Sequence, residues 1–356
     1  MTDYASYRNV LEPPAFVDLF TAFPPVSFSC RKNKFGQPVF FTDFDLLTTL
    51  HDEVALFLNK IPLSQYLSRL LRFATCFCGT TITEYIPQPK GVTPLDLVKH
   101  IKEEHAHQQS LLIIKDLPDD SPLLSEDDNA FAKAFANHAQ ERGFIKVQGQ
   151  ALAYVPIDFA SEEEYLARLS SGRRKDLRRK LKKKTELLIE HVSLGDEIFY
   201  DNAFLKQLYD MYLAVYEQSN IHFDLLSPEF FATLLQNESI PGVVFLYRHE
   251  GILAAYNICL THNFMLIDKY IGFNYPLARE LNLYFISWLV NLDYARKHNF
   301  STYIAGWTDP EVKASLGAKF TFTQHIVWIK NPLLRHILYR LKHLFEADSQ
   351  IIENPS

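Results

Sequence analysis

Hydrophobic residues in the second half of the chain fall into three runs separated by short polar turns. The segment Gly242 to Asn274 reads GVVFLYRHEGILAAYNICLTHNFMLIDKYIGFN and is interrupted only at His249-Glu250-Gly251 and at His262-Asn263. Runs rich in β-branched and aromatic residues that are joined by turns this short are typical of β-hairpins. The pattern therefore predicts a three-stranded antiparallel meander.

The spacing of apolar residues changes after this meander from that of a strand to that of a helix. Between Ala278 and Lys297 they recur every three or four positions, which predicts one long helix. The other elements predicted for this half are two helices, Asn202 to Gln218 and Ser227 to Gln236, then a strand Ser301 to Ala305, a short helix Pro310 to Leu316, and two strands through Lys319 to Lys330.

The first half mixes strand-like and helix-like periodicity. Strands are predicted over Phe73 to Tyr85, Leu111 to Leu117 and Gly143 to Tyr154, and an amphipathic helix over Asp128 to Arg142. The segment Leu117 to Asn129 is rich in Asp, Ser and Pro and is predicted to be a loop. Residues 1 to 155 are therefore interpreted as a mixed α/β unit.

Length and composition limit the class of protein. A chain of 356 residues is long enough for two domains, and 47% hydrophobic residues with 28 Phe and 18 Tyr exclude an intrinsically disordered protein. We predict domains at 1–155 and 192–330, a basic helical arm at 156–191 and an amphipathic tail helix at 331–356. No apolar run approaches the roughly 20 residues of a membrane-spanning helix. The first ten residues lack the features of a signal peptide, so a cytoplasmic location is expected.

Positive charge is concentrated in one short segment of the arm. Arg173 to Lys184 contains nine Lys or Arg and one Asp, and without it the chain has 27 basic and 41 acidic residues. The segment is interpreted as a phosphate-binding surface for a nucleic acid, a cofactor or a lipid headgroup, with a solvated basic face as the alternative. Three leucines are predicted to share one face of the helix that it forms: Leu177, Leu181 and Leu188.

Cysteine and histidine do not form a pattern typical of a metal site. Cys30, Cys76, Cys78 and Cys259 lack the paired spacing of zinc ligands and are predicted to be buried thiols. The cluster from His100 to His107 offers donors at helical spacing, but the sequence shows no second group of ligands for it. No metal ion is predicted.

The order of elements after residue 160 and a motif near its end are similar to those of a known superfamily. KYIGFN ends the third strand of the meander, and AGWTDPEVKASLGAKF follows the long helix. Together with the basic helix, these features make residues 160 to 330 resemble the FemAB-like branch of the GNAT superfamily of N-acetyltransferases. The motif residues are Gly306, Lys313, Gly317 and Ala318.

The resemblance implies both a fold and a reaction. The fold is α/β (α+β), with tandem GNAT-like domains, a mixed and mostly antiparallel sheet flanked by helices, and a degenerate first domain. The reaction is transfer of an acyl group from an activated donor to a small-molecule or peptide amine. The resemblance places Lys313 near the reacting carbonyl, where a cation opposes the charge of the oxyanion, whereas a surface lysine is the alternative.

Asp268 and Tyr270 complete the predicted catalytic set. They occupy alternate positions of one strand and are predicted to share a face, with Lys269 on the other face. Asp268 is expected to orient or deprotonate the amine, and a structural charge pair is the alternative.

The donor is expected to be an acyl-CoA, with an aminoacyl-tRNA as the alternative. In GNAT proteins a glycine-rich loop before the long helix holds the pyrophosphate of coenzyme A, but Asn274 to Arg279 contains no Gly. Either Arg279 and the helix N-terminus hold a phosphate, or the donor is the aminoacyl-tRNA of Fem-type enzymes, whose backbone suits a basic arm. The predicted donor contacts are Arg173, Arg174, Arg178, Arg179 and Arg279.

Further residues are predicted on the acceptor side. His222 and Asp224 are expected at the mouth of the substrate site, with ordinary polar loop residues as the alternative. Tyr303 and Trp307 are expected either to stack on the substrate or to close the core. The helix Asn331 to Phe345 is predicted to pack on the second domain or to lie on a membrane surface. An acyltransferase is the leading interpretation, and a catalytically silent nucleic-acid-binding module and a membrane-peripheral protein are the alternatives.

Overall fold

The computed structural model describes residues 7–45, 72–219 and 222–341. Packing contacts divide the chain into two units. Among the described residues, unit 1 contains 7–10, 20–45, 72–152 and 321–341, and unit 2 contains 11–19, 153–219 and 222–320. Compared with the predicted division, the basic arm belongs to unit 2, and residues 321–330 belong to unit 1.

Helices and strands make up most of the described residues. The helices are α1 (Pro14–Ala22), α2 (Pro94–His105), α3 (Glu126–Glu141), α4 (Glu162–Ala167), α5 (Ser171–Leu181), α6 (Asn202–Gln218), α7 (Pro228–Leu235), α8 (Leu277–Glu280), α9 (Leu283–Lys297), α10 (Pro310–Ser315) and α11 (Pro332–Leu341). The strands are β1 (Tyr7–Arg8), β2 (Ser29–Lys32), β3 (Pro38–Asp45), β4 (Arg72–Cys78), β5 (Gln88–Pro89), β6 (Leu111–Asp119), β7 (Ile145–Pro156), β8 (Leu188–Ser193), β9 (Gly242–His249), β10 (Ile252–His262), β11 (Met265–Phe273), β12 (Thr302–Gly306) and β13 (Lys319–Ile329). None of the helices in the described part of the chain combines the length and hydrophobicity needed to cross a membrane.

Unit 1 is built on the strand order β2-β3-β4-β6-β13-β7. Strands β2, β3 and β4 form an antiparallel meander, and β4 then pairs with β6 in parallel. The crossover from β4 to β6 carries α2, whose N-cap Thr93 accepts a hydrogen bond from the first turn. Leu97 and Ile101 of this helix pack with Phe131 and Phe135 of α3 in the core of the unit.

Unit 2 has the strand order β7-β12-β11-β10-β9-β8, to which β7 contributes its end from Ala153 onward. Strands β9, β10 and β11 form the predicted antiparallel meander, and β11 pairs with β12 in parallel. Successive residues of β10 face two different helices. Tyr256 packs against Phe231 of α7, whereas Asn257 is hydrogen-bonded to Asn291 of α9.

The two units repeat one order of elements. In each, a meander is followed by a helical crossover and by a strand that pairs in parallel with the last strand of the meander. That parallel strand also pairs antiparallel with a strand distant in sequence, β13 beside β6 in unit 1 and β7 beside β12 in unit 2. The predicted fold class, tandem α/β (α+β) domains with mixed and mostly antiparallel strand pairing, is confirmed.

Three predicted elements of the second half differ from the structure. The helix predicted from Ala278 to Lys297 is two helices, because Asn282 adopts the left-handed conformation with φ of 56° and separates α8 from α9. The basic helix does not continue to Leu188, which begins strand β8 and pairs with β9 after a 3₁₀ turn. The two strands predicted after residue 319 are one strand, β13.

Two predicted segments of unit 1 also need correction. The strand expected to reach Tyr85 ends at Cys78. The tail helix α11 packs in unit 1 and not on the second domain, because β13 leads the chain back into unit 1. Arg335 of α11 lies 5.1 Å from the Trp328 ring of β13 and donates to the carbonyl oxygen of Ile329 at 2.7 Å. The rest of the predicted tail helix, from residue 342 to Phe345, lies outside the described residues.

Candidate functional site

Strands β11 and β12 of unit 2 pair over a short length only. Residues 265–267 of β11 match residues 302–304 of β12 in parallel. Both strands carry a bulge directly afterwards, since Lys269 is an extra residue relative to β10 and Ala305 is an extra residue relative to β7. Bulges turn neighbouring side chains and are frequent beside active sites.

The bulge at Lys269 overturns one prediction about the catalytic strand. Because Lys269 is the extra residue, Asp268 and Tyr270 lie opposite two adjacent residues of β10 and point to opposite faces of the sheet. The predicted shared face is therefore wrong. The Tyr270 ring lies 6.3 Å from that of Tyr212 and 6.4 Å from that of Phe230, on the side of α6 and α7.

Asp268 faces α9 and accepts hydrogen bonds from neutral groups on three elements. Its Oδ1 accepts from Asn257 Nδ2 of β10 at 2.6 Å, and its Oδ2 accepts from the Tyr303 hydroxyl of β12 at 2.8 Å. Asn291 Nδ2 of α9 lies 3.4 Å from Oδ2 and donates to Asn257 Oδ1 at 2.6 Å. This connected network holds the carboxylate in one orientation.

The pKa of Asp268 is set by burial and by nearby charge. Burial raises the pKa above the ordinary aspartate value, and hydrogen bonds from Asn257 and Tyr303 oppose that rise. The positive charges of Lys313 and Lys269 also lower the pKa. Because burial dominates, the Asp268 carboxylate is a stronger proton acceptor than an exposed aspartate.

Lys313 lies in the short helix α10, which follows β12. Its side chain is buried, and its Nζ donates to the carbonyl oxygen of Ala305, the bulged residue of β12, at 2.6 Å. The Lys313 charge acts on the Asp268 carboxylate. The structure thus brings two of the predicted catalytic residues together where β11 and β12 cease to pair.

Two glycines of the motif fit the backbone that carries Lys313. Gly306 has φ of 77° and Gly317 has φ of 86°, a region that side chains disfavour. A Cβ on Gly317 would lie 2.9 Å from Leu169 Cδ2. The hydroxyl of Tyr165 in α4 donates to the carbonyl oxygen of Leu316. The motif therefore fixes the end of α10 against the segment that leads into the basic helix.

Aromatic residues surround this pair with different exposures. Tyr303 is buried and bonded to Asp268, so it is not free to stack on a substrate as predicted. Trp307 directly follows β12 and is half-buried. The Tyr284 hydroxyl of α9 is buried and has no hydrogen-bond partner among the described residues. Burial, followed by the charges of Asp309 and Asp268, raises the Tyr284 pKa.

A groove of about 540 Å³ runs along α6 beside the end of β11. Arg279, one of the predicted phosphate contacts, lies at its rim, where it donates to Gln218 Oε1 at 2.6 Å and lies 4.9 Å from the Tyr275 ring. The Asp309 charge reaches Tyr275, so the groove approaches the start of α10. The lining residues of the groove include Ala203, Lys206, Asp210, Glu217 and Tyr275.

His222 and Asp224 lie in the segment before α7. The exposed His222 ring meets Tyr216 edge-on at 5.1 Å. The charge of Asp224 adds to burial in raising the pKa values of Tyr212 and Tyr216. Both predicted residues therefore lie beside the aromatic surface of α6, on the face of the sheet opposite Asp268.

The predicted basic arm is α5 and the 3₁₀ turn after it, packed into unit 2. Leu177 is fully buried, and Lys180 Nζ lies 3.4 Å from the centre of the Phe285 ring of α9. Arg174 donates to a backbone carbonyl and, like Lys175 and Lys182, has no ion pair within the described residues. The remaining six cations pair with acidic side chains of the same region: Arg173, Arg178, Arg179, Lys180, Lys183 and Lys184.

These intramolecular pairs change the expected role of the arm. Asp176 contacts three of the cations, and Glu162, Glu163 and Glu186 contact one each. Repulsion among like charges is therefore relieved within the protein and does not by itself require a bound polyanion. Of the predicted donor contacts, Arg173, Arg178 and Arg179 already have acidic partners.

A family profile decides to which family the whole chain belongs. The FemAB-like profile, described as peptidoglycan biosynthesis/recognition, matches residues 94–353. The chain belongs to the FemAB-like family. The resemblance drawn from the motif between Gly306 and Ala318 is thereby confirmed. No curated protein matches the sequence.

Solved structures share the fold of this FemAB-like protein at low sequence identity. FemX has a TM-score of 0.54 at 13% identity, with 95% of each chain covered. The C-terminal domain of a putative lysylphosphatidylglycerol synthetase from Agrobacterium fabrum has a TM-score of 0.53 at 12% identity, covering 92% of this chain and 89% of that one. L-PGS from Bacillus licheniformis has a TM-score of 0.51 at 10% identity, covering 94% and 98%.

A separate polar cluster of the FemAB-like chain lies in unit 1. Cys76 and Cys78 on one face of β4 meet His105 of α2, and all three side chains are buried. The neighbouring Cys78 thiol, followed by the His105 imidazole, lowers the Cys76 pKa to about 6. The cysteine pair and the histidine cluster, which the sequence shows only separately, therefore lie together. No three His, Cys, Asp or Glu side chains in the described ranges are arranged to hold a metal ion.

Sequence reasoning missed the groups that hold Asp268 and Lys269. Asn257 interrupts the apolar run ILAAYNICL, and Asn291 interrupts the apolar helix LYFISWLVNLDY. Both side chains are fully buried. A polar residue inside a buried run needs a hydrogen-bond partner, which is the signal that points to them. Glu12, the partner of Lys269, stands before α1 without any such pattern.

Proposed function

We propose that this protein transfers an aminoacyl group from an ester donor to an amine acceptor at the Asp268–Lys313 site of unit 2. The observation that carries the proposal is the convergence of a buried acid and a buried lysine where two parallel strands cease to pair. Membership in the FemAB-like family and the fold shared with FemX support it.

The chemistry follows from these two side chains. Asp268 accepts the proton of the acceptor ammonium, and the amine nitrogen then forms a bond to the carbonyl carbon of the donor. The Lys313 ammonium stabilises the oxyanion that develops, because it is held in a buried place where charge interactions are strong. The carbon–oxygen bond of the ester breaks, the ribose oxygen takes up the second proton that the attacking nitrogen gives up, and the proton held by Asp268 is released to water.

Three observations favour an aminoacyl ester over an acyl-CoA. The segment before α9 lacks glycine, and Leu283 at the start of α9 is fully buried, which is unlike an open pyrophosphate cradle. The basic helix keeps three cations without an ion pair in the described residues, which suits an RNA backbone. Fem-type enzymes, whose fold is represented among the similar structures by FemX, take their aminoacyl group from tRNA.

The acceptor is proposed to approach along the groove of α6 and to reach Asp268, on the other face of the sheet, between the unpaired ends of β11 and β12. Lys206 of the groove pairs with Asp210 at 2.6 Å, so Glu217, which has no ion pair within the described ranges, is the carboxylate that suits an ammonium. The helix stripe from Ala203 to Gln218 is roughly 22 Å long, enough for about six residues of extended peptide. The family description, peptidoglycan biosynthesis/recognition, makes a cell-wall peptide with a free amine the first acceptor to examine.

A transfer assay tests this function. The purified chain is incubated with bulk tRNA charged with radiolabelled amino acids and with muramyl peptides that carry a free lysine amine. We expect label to move into the peptide, and no thiol to be released from acetyl-CoA. Thiol release that depends on the peptide would show that the donor is an acyl-CoA. Label in phosphatidylglycerol vesicles would show that the acceptor is the lipid. Absence of transfer to every acceptor would refute the proposal.

A further inference from the structure

A buried ion pair stands one residue from Asp268. Lys269 Nζ and Glu12 Oε1 lie 2.8 Å apart, and their side chains are only 6% and 0% exposed. Taking two charges out of water is expensive, so such pairs are weak contributors to stability and their retention calls for another explanation. This pair links the bulge of β11 to segment 11–19.

Segment 11–19 is anchored in unit 2 by more than this contact. Phe16 of α1 packs edge-on against Phe230 of α7 at 6.0 Å, and Lys269 Nζ lies 5.7 Å from the Phe16 ring. Glu12 precedes α1 and its charge also reaches His262 at the end of β10. The extra residue of the bulge is thus held from the side opposite Asp268.

Several elements place titratable groups around the Asp268 carboxylate. Lys269 is the nearest cation along β11, and Lys313 acts from α10. The remaining groups whose charge states respond to Asp268 are phenols and a thiol on β9, β10, α9 and β12: Tyr247, Cys259, Tyr284 and Tyr303. These four groups are neutral at physiological pH, because burial raises the pKa of each. The two lysines are therefore the cations that act on Asp268.

We propose that the Glu12–Lys269 ion pair is a positioning device that fixes the bulge of β11 and aims Asp268 at α9. The Lys269 cation that the pair holds in place also favours the carboxylate form of Asp268. Glu12 and Lys269 are positioning residues, since neither touches the reacting atoms. The consequence for catalysis rests on the proposed function. The consequence for Asp268 itself does not, so the two can be tested separately.

The decisive variant removes both charges together. Glu12→Gln with Lys269→Met replaces the pair by neutral side chains of similar size, a change that proteins with buried ion pairs often tolerate. The titration of Asp268 is followed by carbon-13 NMR of labelled carboxyl groups and assigned with Asp268→Asn. We expect the midpoint to rise by at most about one pH unit, because the lost Lys269 cation acts on Asp268 more strongly than the lost Glu12 anion does. Glu190→Gln with Arg248→Met, which removes a more exposed pair of β8 and β9, is the control and should leave the midpoint unchanged.

A second variant covers the case in which the neutral pair does not fold. Glu12→Lys with Lys269→Glu keeps a buried ion pair but brings the negative charge next to Asp268, so the midpoint should rise further. An unchanged midpoint in either folded variant would overturn the proposal and leave the pair a purely structural contact. If the transferase function holds, the acid limb of the rate profile moves to higher pH by the same amount, with the acceptor KM unchanged. If the wild type transfers nothing, the proposed function fails while the NMR result still stands.

Discussion

The two units carry a buried acid near the end of their parallel strand pair, but its surroundings differ. In unit 1, Asp116 of β6 is in contact with Lys115, and His325 Nδ1 of β13 lies 3.8 Å from its Oδ1. In unit 2, Asp268 of β11 is held by the amides of Asn257 and Asn291 and by a hydroxyl. One acid has a cation as direct neighbour, whereas the other is held by neutral donors.

This difference bears on which acid is available to a substrate. The Asp116 carboxylate is already in contact with the Lys115 ammonium of the same strand. A carboxylate held by neutral donors in a buried place keeps its orientation and remains ready to accept one. We therefore place the proposed chemistry in unit 2.

The largest expected effect is a loss of turnover on replacing the lysine of unit 2, which should not occur on replacing the lysine of unit 1. Lys313→Ala should lower turnover by about 10² to 10³ with donor affinity nearly intact, because it removes an interaction made chiefly in the transition state. Lys313→Arg should recover only part, since the guanidinium spreads its charge over a plane. Steady-state kinetics measures both. The matched control is Lys115→Ala in unit 1, which should leave turnover at the wild-type level, and equal losses in both variants would break the comparison.

The rates of transfer of the Asp268→Asn and Asp116→Asn variants should differ by about 10²-fold, the usual contribution of a general base. Asp268→Asn removes the proton acceptor, and Tyr303 can turn its hydroxyl to suit the new amide. Asp116→Asn should change thermal stability without changing the rate of transfer. Initial rates and melting curves of both variants give the answer, and an active Asp268→Asn enzyme would disprove the role of this residue.

Asp268 should also affect how the free energy of unfolding depends on pH. Its folded pKa lies above the unfolded value, so between the two the native protein binds more protons than the unfolded chain. The stability contributed by Asp268 is therefore present at low pH and lost as pH rises through the folded pKa. Urea unfolding at a series of pH values should show this loss in the wild type and not in Asp268→Asn.

The basic helix of unit 2 is expected to have a smaller, salt-dependent effect. Replacing Arg174, Lys175 and Lys182 by Ala should reduce the salt slope of tRNA binding by about two to three, because each phosphate contact contributes roughly 0.7 to 0.9. Filter binding of tRNA at salt concentrations from about 50 to about 200 mM measures this slope. The control replaces exposed cations of unit 1, Lys90, Lys99 and Lys133, and should leave the slope unchanged.

The smallest expected effect concerns the backbone around Lys313. Gly317→Ala should cost about 1–3 kcal/mol, because φ of 86° is unfavourable for Ala and the new Cβ meets Leu169. Gly172→Ala, in the first turn of α5 with nothing within 4 Å of the new Cβ, should be neutral or stabilising by up to about 1 kcal/mol. Melting temperatures of the two variants compare them, and equal values would show that the motif glycine is not required.

Local patterns predicted most of unit 2 because its elements follow one another along the chain. The meander, the helix Asn202–Gln218 and the strand before Gly306 are all confirmed. The long helix before that strand was wrong at Asn282, where a single residue in the left-handed conformation leaves no trace in the apolar spacing. The partners of β7 and β13 could not be predicted, because each pairs with a strand distant in sequence.

The candidate site was predicted only in part for a similar reason. The motif indicated Lys313, and the strand indicated Asp268, but alternation along β11 fails where Lys269 is inserted. A bulge depends on how two strands pair, so the alternation of residues within one strand does not reveal it. The contact of Lys269 with Glu12 spans more than 250 residues of sequence and has no local pattern at all.

The position of β13 beside β6 has a consequence for how the nascent chain folds. Strand β6 leaves the ribosome about 200 residues before its neighbour β13, which at 5–20 residues per second is a delay of roughly 10–40 s. Throughout that interval one edge of an apolar strand is unpaired, and such edges invite association with other chains. During rapid synthesis, the yield of active protein would then be limited by the amount of a chaperone that binds extended apolar segments and protects this edge.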